Sequence, residues 1–335
     1  MKNNTASDNL AVISTQQLRL KDGVGKFLGK GEKYAMIDFP NHSNVGDSAI
    51  WVGAFKLLKD ISGLSPSYVS MVENFDADEL CRAVPTGPIF LHGGGNFGDI
   101  WPKHQLFREM IFKKFPKRLV IQLPQSIKFS DQGSIARCAA AIASHENLHL
   151  MVRDEESFDL ASREFHCGIY LMPDTAFAMG QLARPVEAES AVFMLLRTDA
   201  ERADYDWSTL KELDTFTSGD WLIEPKEFER SSLNVARVKS FANLSFDAQS
   251  RRLNFYNEVA MGRVKRGLLQ LSGGRKVITD RLHAHILCTL LGIPHVVLDN
   301  NYGKISRYIN SWTSNYKGVR KATSVVDAVE KLKQF

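Results

Sequence analysis

Apolar and polar residues alternate along this chain in two rhythms. From Tyr34 to about Phe177 there are short apolar runs at Tyr34–Phe39, Tyr68–Val72, Pro88–His92, Leu119–Leu123, His149–Arg153 and Ile169–Met172. Between them lie amphipathic stretches near 48–60, 76–83, 103–115, 131–145 and 155–164. The runs read as buried strands and the stretches between them as helices. Strand and helix in alternation predict a parallel sheet covered on both faces. Right-handed crossovers then gather the C-terminal ends of the strands on one edge.

Around Gly180 to Ala191 the rhythm breaks into Ala-Arg-Pro and an acidic, small-residue stretch, which reads as a linker. A second unit opens with a strand at Ala191–Leu196 and passes through a polar insert, Thr198 to Gly219. A strand at Trp221–Glu224 and a long helix near 246–270 follow. Strand 275–279, helix 281–291, strand Pro294–Leu298, a helix from about Lys304 and a last helix from about Ser324 to Phe335 complete it. The division is therefore 1–180 and 190–335, two α/β units in tandem with a cleft between their sheets. No internal repeat or low-complexity tract interrupts them.

A length of 335 residues agrees with two units, because single cores stop growing at ~250–300 residues. A hydrophobic fraction of 44% with 24% charged residues is ordinary for a globular protein. The net charge of +4 suits anionic substrates or loose attraction to an anionic membrane surface, and is too small to argue for nucleic acid. Cys81, Cys138, Cys167 and Cys288 are scattered, with no CxxC pair, and read as reduced thiols. No metal-ligand spacing occurs either, since His283 and His285 point to nearly opposite sides of a helix. Met1 to Thr15 lacks the apolar core of a signal peptide, and no stretch approaches the ~18–20 apolar residues of a membrane span. A cytoplasmic location is expected, at most peripheral to the inner face of a membrane.

Ligands of open α/β sheets bind outside the carboxyl ends of the strands, so the exit loops carry the candidate chemistry. The first, Pro40 to Ser48, holds Asn44 and Asp47; Asp47 reads either as a helix cap or as a carboxylate that holds a substrate hydroxyl. The third strand runs into Gly93-Gly94-Gly95-Asn96-Phe97-Gly98-Asp99, a literal G-x-G-x-x-G. A dinucleotide reading fails: the loop follows the third strand, Trp101-Pro102 interrupts the helix start, and the next strand ends in Gln122 instead of an acid. What remains is a backbone at Gly94 and Gly95 that a ligand can approach closely, with Asn96 as a hydrogen-bond donor. Gln125 leaves the fourth strand. Arg153-Asp154 reads as a solvated or bridging pair without a catalytic role.

In the second unit Asp280-Arg281-Leu282-His283 directly follows a strand. Asp280 reads as the cap of a helix, with an arginine and a histidine in its first turn. A helix N-terminus with a guanidinium is a strong site for phosphate or carboxylate, and His283 adds a proton donor or acceptor beside it. Arg197 and Lys304 leave two further strands on the same edge. Three cations and a histidine together suit a multiply charged phosphate compound.

These elements, taken in order, resemble the polysaccharide pyruvyltransferases. The resemblance rests on Asn44-Val45-Gly46-Asp47, Leu91-His92-Gly93-Gly94-Gly95-Asn96, Pro173-Asp174, Asp280-Arg281-Leu282-His283 and Asp299-Asn300-Asn301-Tyr302-Gly303-Lys304, spread from about 35 to 310. It implies two Rossmann-like domains facing across a cleft, as in GT-B glycosyltransferases. It also implies pyruvyl transfer from phosphoenolpyruvate onto a sugar of an exopolysaccharide, or of its lipid-linked precursor, as a cyclic ketal. His283 would be the general acid and Arg281, Arg197, Lys304 and Asn301 the donor side. Asp47 and the loops with Asn44, Gly94, Gly95, Asn96 and Gln125 would face the acceptor. No cofactor or metal is implied. The rival readings are a nucleotide-sugar glycosyltransferase of the same architecture and a non-catalytic binding protein for anionic glycans.

Overall fold

The computed structural model describes residues 3–198, 205, 216–242, 247–299 and 303–335. Its core is two parallel sheets. The first contains β1 (Ala35–Ile37), β2 (Tyr68–Ser70), β3 (Ile89–Leu91), β4 (Gly94–Phe97), β5 (Val120–Ile127), β6 (Leu148–Val152) and β7 (Gly168–Leu171). Their order is β2-β1-β3-β5-β6-β7, with β4 also paired to β5. The second contains β8 (Ser190–Leu195), β9 (Phe216–Gly219), β10 (Gly274–Thr279), β11 (His295–Leu298) and β12 (Val319–Ala322), ordered β12-β11-β10-β8-β9. Strand order reverses between β1 and β3 in one sheet and between β8 and β10 in the other. Such switch points open a crevice at the strand C-termini. Asp38 and His92 leave the first crevice; Leu196-Arg197 and Asp280-Arg281 leave the second.

Strands β1, β2, β3, β5 and β11 are buried along their whole length, as parallel strands covered on both faces require. The helices that cover the first sheet are α2 (Val45–Ser62), α3 (Ala77–Ala83), α4 (Pro102–Lys114), α5 (Gln132–Ala143) and α6 (Glu155–Glu164). Asp76, Asp131 and Asp154 cap α3, α5 and α6 through their carboxylates. A 3-10 turn, Thr175–Met179, follows β7. Chain order then leads to α7 (Lys226–Ala242), α8 (Ala248–Ser272), α9 (Leu282–Leu291), α10 (Lys304–Tyr308), a π-helical turn at Ile309–Thr313 and α11 (Val325–Leu332).

Two helices tie the sheets together. The N-terminal helix, α1 (Asn3–Val24), was not legible in a polar stretch. Its buried Asn9 and Gln16 donate to the Thr289 and Trp312 carbonyls at 3.4 and 2.6 Å, on the side of the second sheet. Helix α8 begins against edge strand β2, where Gln249 accepts from Val69 N–H at 3.0 Å and Arg252 donates to Val69 O at 3.3 Å. Tyr256 stacks on Phe39 at 4.3 Å, and Trp51 Nε1 donates to Asn257 at 2.9 Å. One hydrophobic cluster consequently runs from Val12 and Trp51 through Tyr256 to Val277 and Leu287.

One expectation needs correction. The strand expected at Trp221–Glu224 is a turn, and the strand lies earlier, at Phe216–Gly219. Asp220 ends it by accepting from Thr198 N–H and Leu222 N–H, while Trp221 is buried and Ile223 is 67% exposed. The helix expected near 246–270 has a separate helical neighbour in α7. Most of the insert 198–219 lies outside the described residues.

Gly53 sets the distance between α2 and the turn after β7. A Cβ there would lie 2.0 Å from the Thr175 carbonyl oxygen, a backbone atom that cannot swing aside. Gly53→Ala is therefore expected to cost ~1–3 kcal/mol of overpacking strain, read as a lowered denaturation midpoint in urea with unchanged slope.

Candidate active site

Helix α9 starts at the exit of β10, and its first turn crosses to the other sheet. Asp280 does not cap it: Arg281 occupies the cap position without a side-chain cap bond. The Asp280 carboxylate instead accepts from Arg197 N–H at 2.8 Å, joining the β8 and β10 exits. Burial pushes this carboxyl up to about 6, against the pull of the Arg197 amide and the Arg281 and Arg197 charges. The Arg281 guanidinium is itself buried and tied to Asp220. Asn301 lies outside the described residues, and Lys304 begins α10 at the β11 exit.

His283 leaves the second sheet and meets the first. Its Nε2 lies 3.3 Å from Asp174 Oδ2 and 3.5 Å from Arg153 Nη1. Arg153 leaves β6 and Asp174 follows β7, the neighbouring strand, and the two form a buried ion pair at 2.6 Å. The expectation of an Arg153–Asp154 pair is thus corrected. Asp154 caps α6 and accepts from Ser126 Oγ at 2.6 Å, because its short side chain is already committed to the helix N-terminus. Burial opposes ionisation of Asp174, yet the His283 and Arg153 charges hold its carboxyl well below the usual range. With Nε2 unprotonated, it accepts from Arg153; with a proton on Nε2, it donates to Asp174. The same atom therefore has a partner in either state.

The cradle for that ring is backbone. A Cβ at Gly46, in the first turn of α2, would lie 2.4 Å from His283 Nδ1. Asn44 caps α2 by accepting from Gly46 N–H at 3.0 Å, and its amide donates to Asp47 Oδ2 at 2.8 Å. Asp47 is accordingly not the cap. Burial pushes its carboxyl up, but His42, His283, His92 and Arg153 together outweigh burial and keep it below its ordinary value.

The glycine loop lies between these groups. Gly94, at φ 125°, would bring a Cβ to 3.3 Å from Asp47 Oδ1, and one at Gly95 would lie 3.3 Å from Arg153 Nη2. Asn96 Oδ1 accepts from Arg108 Nη2 and Gln125 Nε2, both at 2.8 Å, which orients the amide nitrogen away from them. Gln125 is fully buried, donates to His92 O and accepts from Asn96 N–H, so it supports the loop from beneath. Beside the loop a cavity of about 190 Å³ is lined by Gly95, Trp101, Ser126, Lys128, Asp154 and Arg307 among others.

Sequence reasoning did not single out the groups at the β1–β3 switch point. Asp38 is buried with a left-handed φ of 69°, uncommon for a non-glycine residue, and its Oδ1 is 2.8 Å from His104 Nδ1. His92 is buried with neither ring nitrogen hydrogen-bonded, and burial pushes its imidazole down to about 4. The sequence signal was their position, one residue past strands β1 and β3. Among the described residues no group of three His, Cys, Asp or Glu could hold a metal ion, and no helix is long and apolar enough to cross a membrane.

The family described as Polysaccharide pyruvyl transferase matches residues 44–302, which include Asp47, the glycine loop, Arg153, Asp174, Arg281 and His283. Pyruvyl transferase 1 of Schizosaccharomyces pombe is 35% identical over 90% of this chain and 74% of its own length. Putative pyruvyl transferase EpsO of Bacillus subtilis is 29% identical, over 89% of this chain and 91% of its own. In fold, the chain is similar to the crystal structure of a functionally uncharacterized protein from Klebsiella pneumoniae. The TM-score is 0.58 at 16% identity, with 92% of this chain and 99% of that one covered.

Because the Asp174 carboxyl is held down by its partners, the stability it contributes is complete above the ordinary carboxylate range. It is lost as the pH falls below ~4 toward the folded value. Asp174→Asn leaves Arg153 buried without its counter-charge and should cost roughly 3–5 kcal/mol near neutrality. Urea unfolding as a function of pH should show that gap constant above about pH 5 and closing in acid.

Proposed function

The chain belongs to the polysaccharide pyruvyl transferase family, and from that premise we propose that it moves a pyruvyl group from phosphoenolpyruvate to a sugar of an exopolysaccharide or its lipid-linked precursor, closing a cyclic ketal. The observation that carries this reading is His283, brought from one sheet into contact with the Arg153–Asp174 pair of the other. Such a site offers a proton carrier beside cations, and phosphoenolpyruvate asks for both.

The donor bears a phosphate and a carboxylate. Arg281 and Arg197 at the β8–β10 switch point, with Asn301 and Lys304 at the β11 exit, bind and orient it. Arg153 adds a cation from the opposite sheet, so the first sheet supplies more than neutral and acidic groups. His283 gives a proton to the methylene carbon, and C2 becomes electrophilic. A sugar hydroxyl forms the new C2–O bond and releases its proton, which replaces the one His283 gave. Phosphate departs with the electron pair of its C2–O bond. A second hydroxyl of the same sugar then closes the ketal, and its proton leaves with the phosphate. Side chains supply every charge the scheme requires, so no cofactor enters it.

Asp47, kept ionised beside His42 and the glycine loop, orients or deprotonates the attacking hydroxyl. Asn44 holds that carboxylate, and Asn96 presents its amide nitrogen to the sugar. Gly94 and Gly95 allow the acceptor to lie close to the backbone. The two sheets act as donor and acceptor sides of one cleft, in a GT-B-like arrangement of units 1–180 and 190–335.

A donor screen tests the reading. Phosphate release from phosphoenolpyruvate is expected in the presence of a glycan acceptor. Consumption of a nucleotide sugar instead, or glycan binding without turnover, would replace it. Within the screen, His283→Gln should lower turnover by ~10²–10⁴-fold, while calorimetry finds phosphoenolpyruvate affinity nearly unchanged.

Asp47→Asn separates the two sides. Acceptor kinetics at saturating donor should deteriorate by ~10²-fold or more, with donor affinity measured alone preserved. Lost donor binding with unaltered acceptor dependence would place Asp47 on the donor side.

A further inference from the structure

We infer that the outer face of α4 is a docking surface for an anionic lipid membrane. One side of this helix, with Phe107, Ile111 and Phe112, is buried in the core of the first sheet. Lys103, Leu106, Met110, Lys113 and Lys114 are exposed on the other. At about 100° per residue these five positions fall within about 100° of arc and form one stripe along the helix. Leu106 is 54% and Met110 36% exposed, and both border a shallow groove shared with Arg137 of α5.

A single exposed leucine needs no explanation. Two large apolar side chains one turn apart, enclosed by cations, do. The nearby carboxylates are already committed: Glu73 to Lys103, Glu109 to Arg137 at 3.1 Å, and Glu146 to Lys117 at 3.9 Å. Among the described residues Lys113 and Lys114 form no salt bridge, so the stripe carries uncompensated positive charge beside its apolar centre.

That composition selects the partner. Protein–protein interface cores are depleted of lysine. Leucine and methionine ringed by lysines suit a bilayer surface instead. Their apolar ends reach the acyl boundary, and the lysine stems lie along it with the ammonium groups among lipid phosphates. The overall charge of +4 adds attraction in the same sense. Ile100 and Trp101, just before α4, are 45% and 52% exposed and line the cavity beside the glycine loop. A membrane on α4 therefore brings that cavity to headgroup level, where an indole is favourable.

The inference deepens the reading of a lipid-linked acceptor, but membrane binding is measured without donor or acceptor. The full chain is sedimented with vesicles of equimolar phosphatidylglycerol and phosphatidylcholine, and with phosphatidylcholine alone. Binding is expected only to the anionic vesicles, weakening as salt is raised. Leu106→Glu/Met110→Glu and Lys113→Glu/Lys114→Glu should each lower partitioning about tenfold or more. Val238→Glu/Met261→Glu, at exposed apolar positions elsewhere, should leave it unchanged. All variants should keep wild-type circular dichroism and wild-type rates on a water-soluble acceptor. Wild-type protein that stays in the supernatant, or α4 variants that sediment like wild type, would overturn the inference. A changed oligomeric size of the Leu106 variant without a change in vesicle binding would assign the face to self-association. Vesicle binding that follows the expected pattern in a chain that never consumes phosphoenolpyruvate would sustain the docking surface and remove the pyruvyl-transfer reading.

Discussion

The buried pair between Arg153 and Asp174 is the constraint on which the arrangement of this molecule turns. Two charges withdrawn from water cost several kcal/mol each unless geometry and further hydrogen bonds repay them. Here they are repaid from both sheets. Arg153 also donates to Ser126 Oγ at 3.0 Å, and Asp174 accepts from Ala176 N–H at 2.9 Å within the first unit. From the second side, His283 reaches Asp174, Tyr308 Oη accepts from Asp174 N–H at 3.1 Å, and Trp312 donates to the Arg153 carbonyl at 2.8 Å. The pair is complete only when the elements after β10 and β11 are docked on the exits of β6 and β7. Position of His283 and contact between the sheets are therefore one structural fact.

Glycine does the remaining placement. At Gly46 the backbone stands where a side chain would collide with His283, at Gly95 a Cβ would press on the Arg153 guanidinium, and at Gly94 a left-handed φ disfavours one in any case. A loop with the spelling of a dinucleotide fingerprint thus serves a different need. It passes between Asp47 and Arg153, and Arg108 stiffens it by fixing Asn96 and stacking on Phe97 at 4.4 Å. The buried guanidinium of Arg108 lowers the freedom of a loop that hydrophobic packing alone would leave adaptable.

Much of the fold was legible in the sequence because parallel strands and their helices carry local periodicity. β1, β2, β3, β5, β6 and β7 appeared within a few residues of their expected places, and so did β8, β10 and β11; β4, in the expected glycine loop, and β12 were not anticipated. What could not be read were features fixed by distant partners. Trp221-Leu222-Ile223 has the composition of a strand, yet Asp220 turns the chain there, with Arg281 as one of its partners some sixty positions away. Helix α1 hides its function in buried amides that bond to α9 and the turn after α10. The strand exits themselves were legible: Arg197, Asp280, Arg281 and His283 follow strands of the second sheet, and Asp47 and Asn96 lie beyond β1 and β3 of the first. The role of Arg153 was missed because its sequence neighbour Asp154 offered an easy partner, and the true one sits on the next strand.

The two reversals of strand order explain why the site can be built at all. Each crevice alone is incomplete: the β1–β3 exits hold Asp38 and His92, with Asp47 near, and the β8–β10 exits hold Arg197, Asp280 and Arg281. A compound with a phosphate, a carboxylate and an electrophilic carbon needs cations on one side and a hydroxyl acceptor on the other, with a proton carrier between. On the proposed reading, only an element anchored in one crevice and extending to the other can carry that proton. The first turn of α9 does this, because Arg281 is anchored to Asp220 on its own side while His283, two residues on, lies against Asp174 and Gly46 across the gap. Moving the two sheets apart would strip His283 of both partners of its Nε2 at once. Contact between the sheets is therefore a condition for His283 to have defined partners.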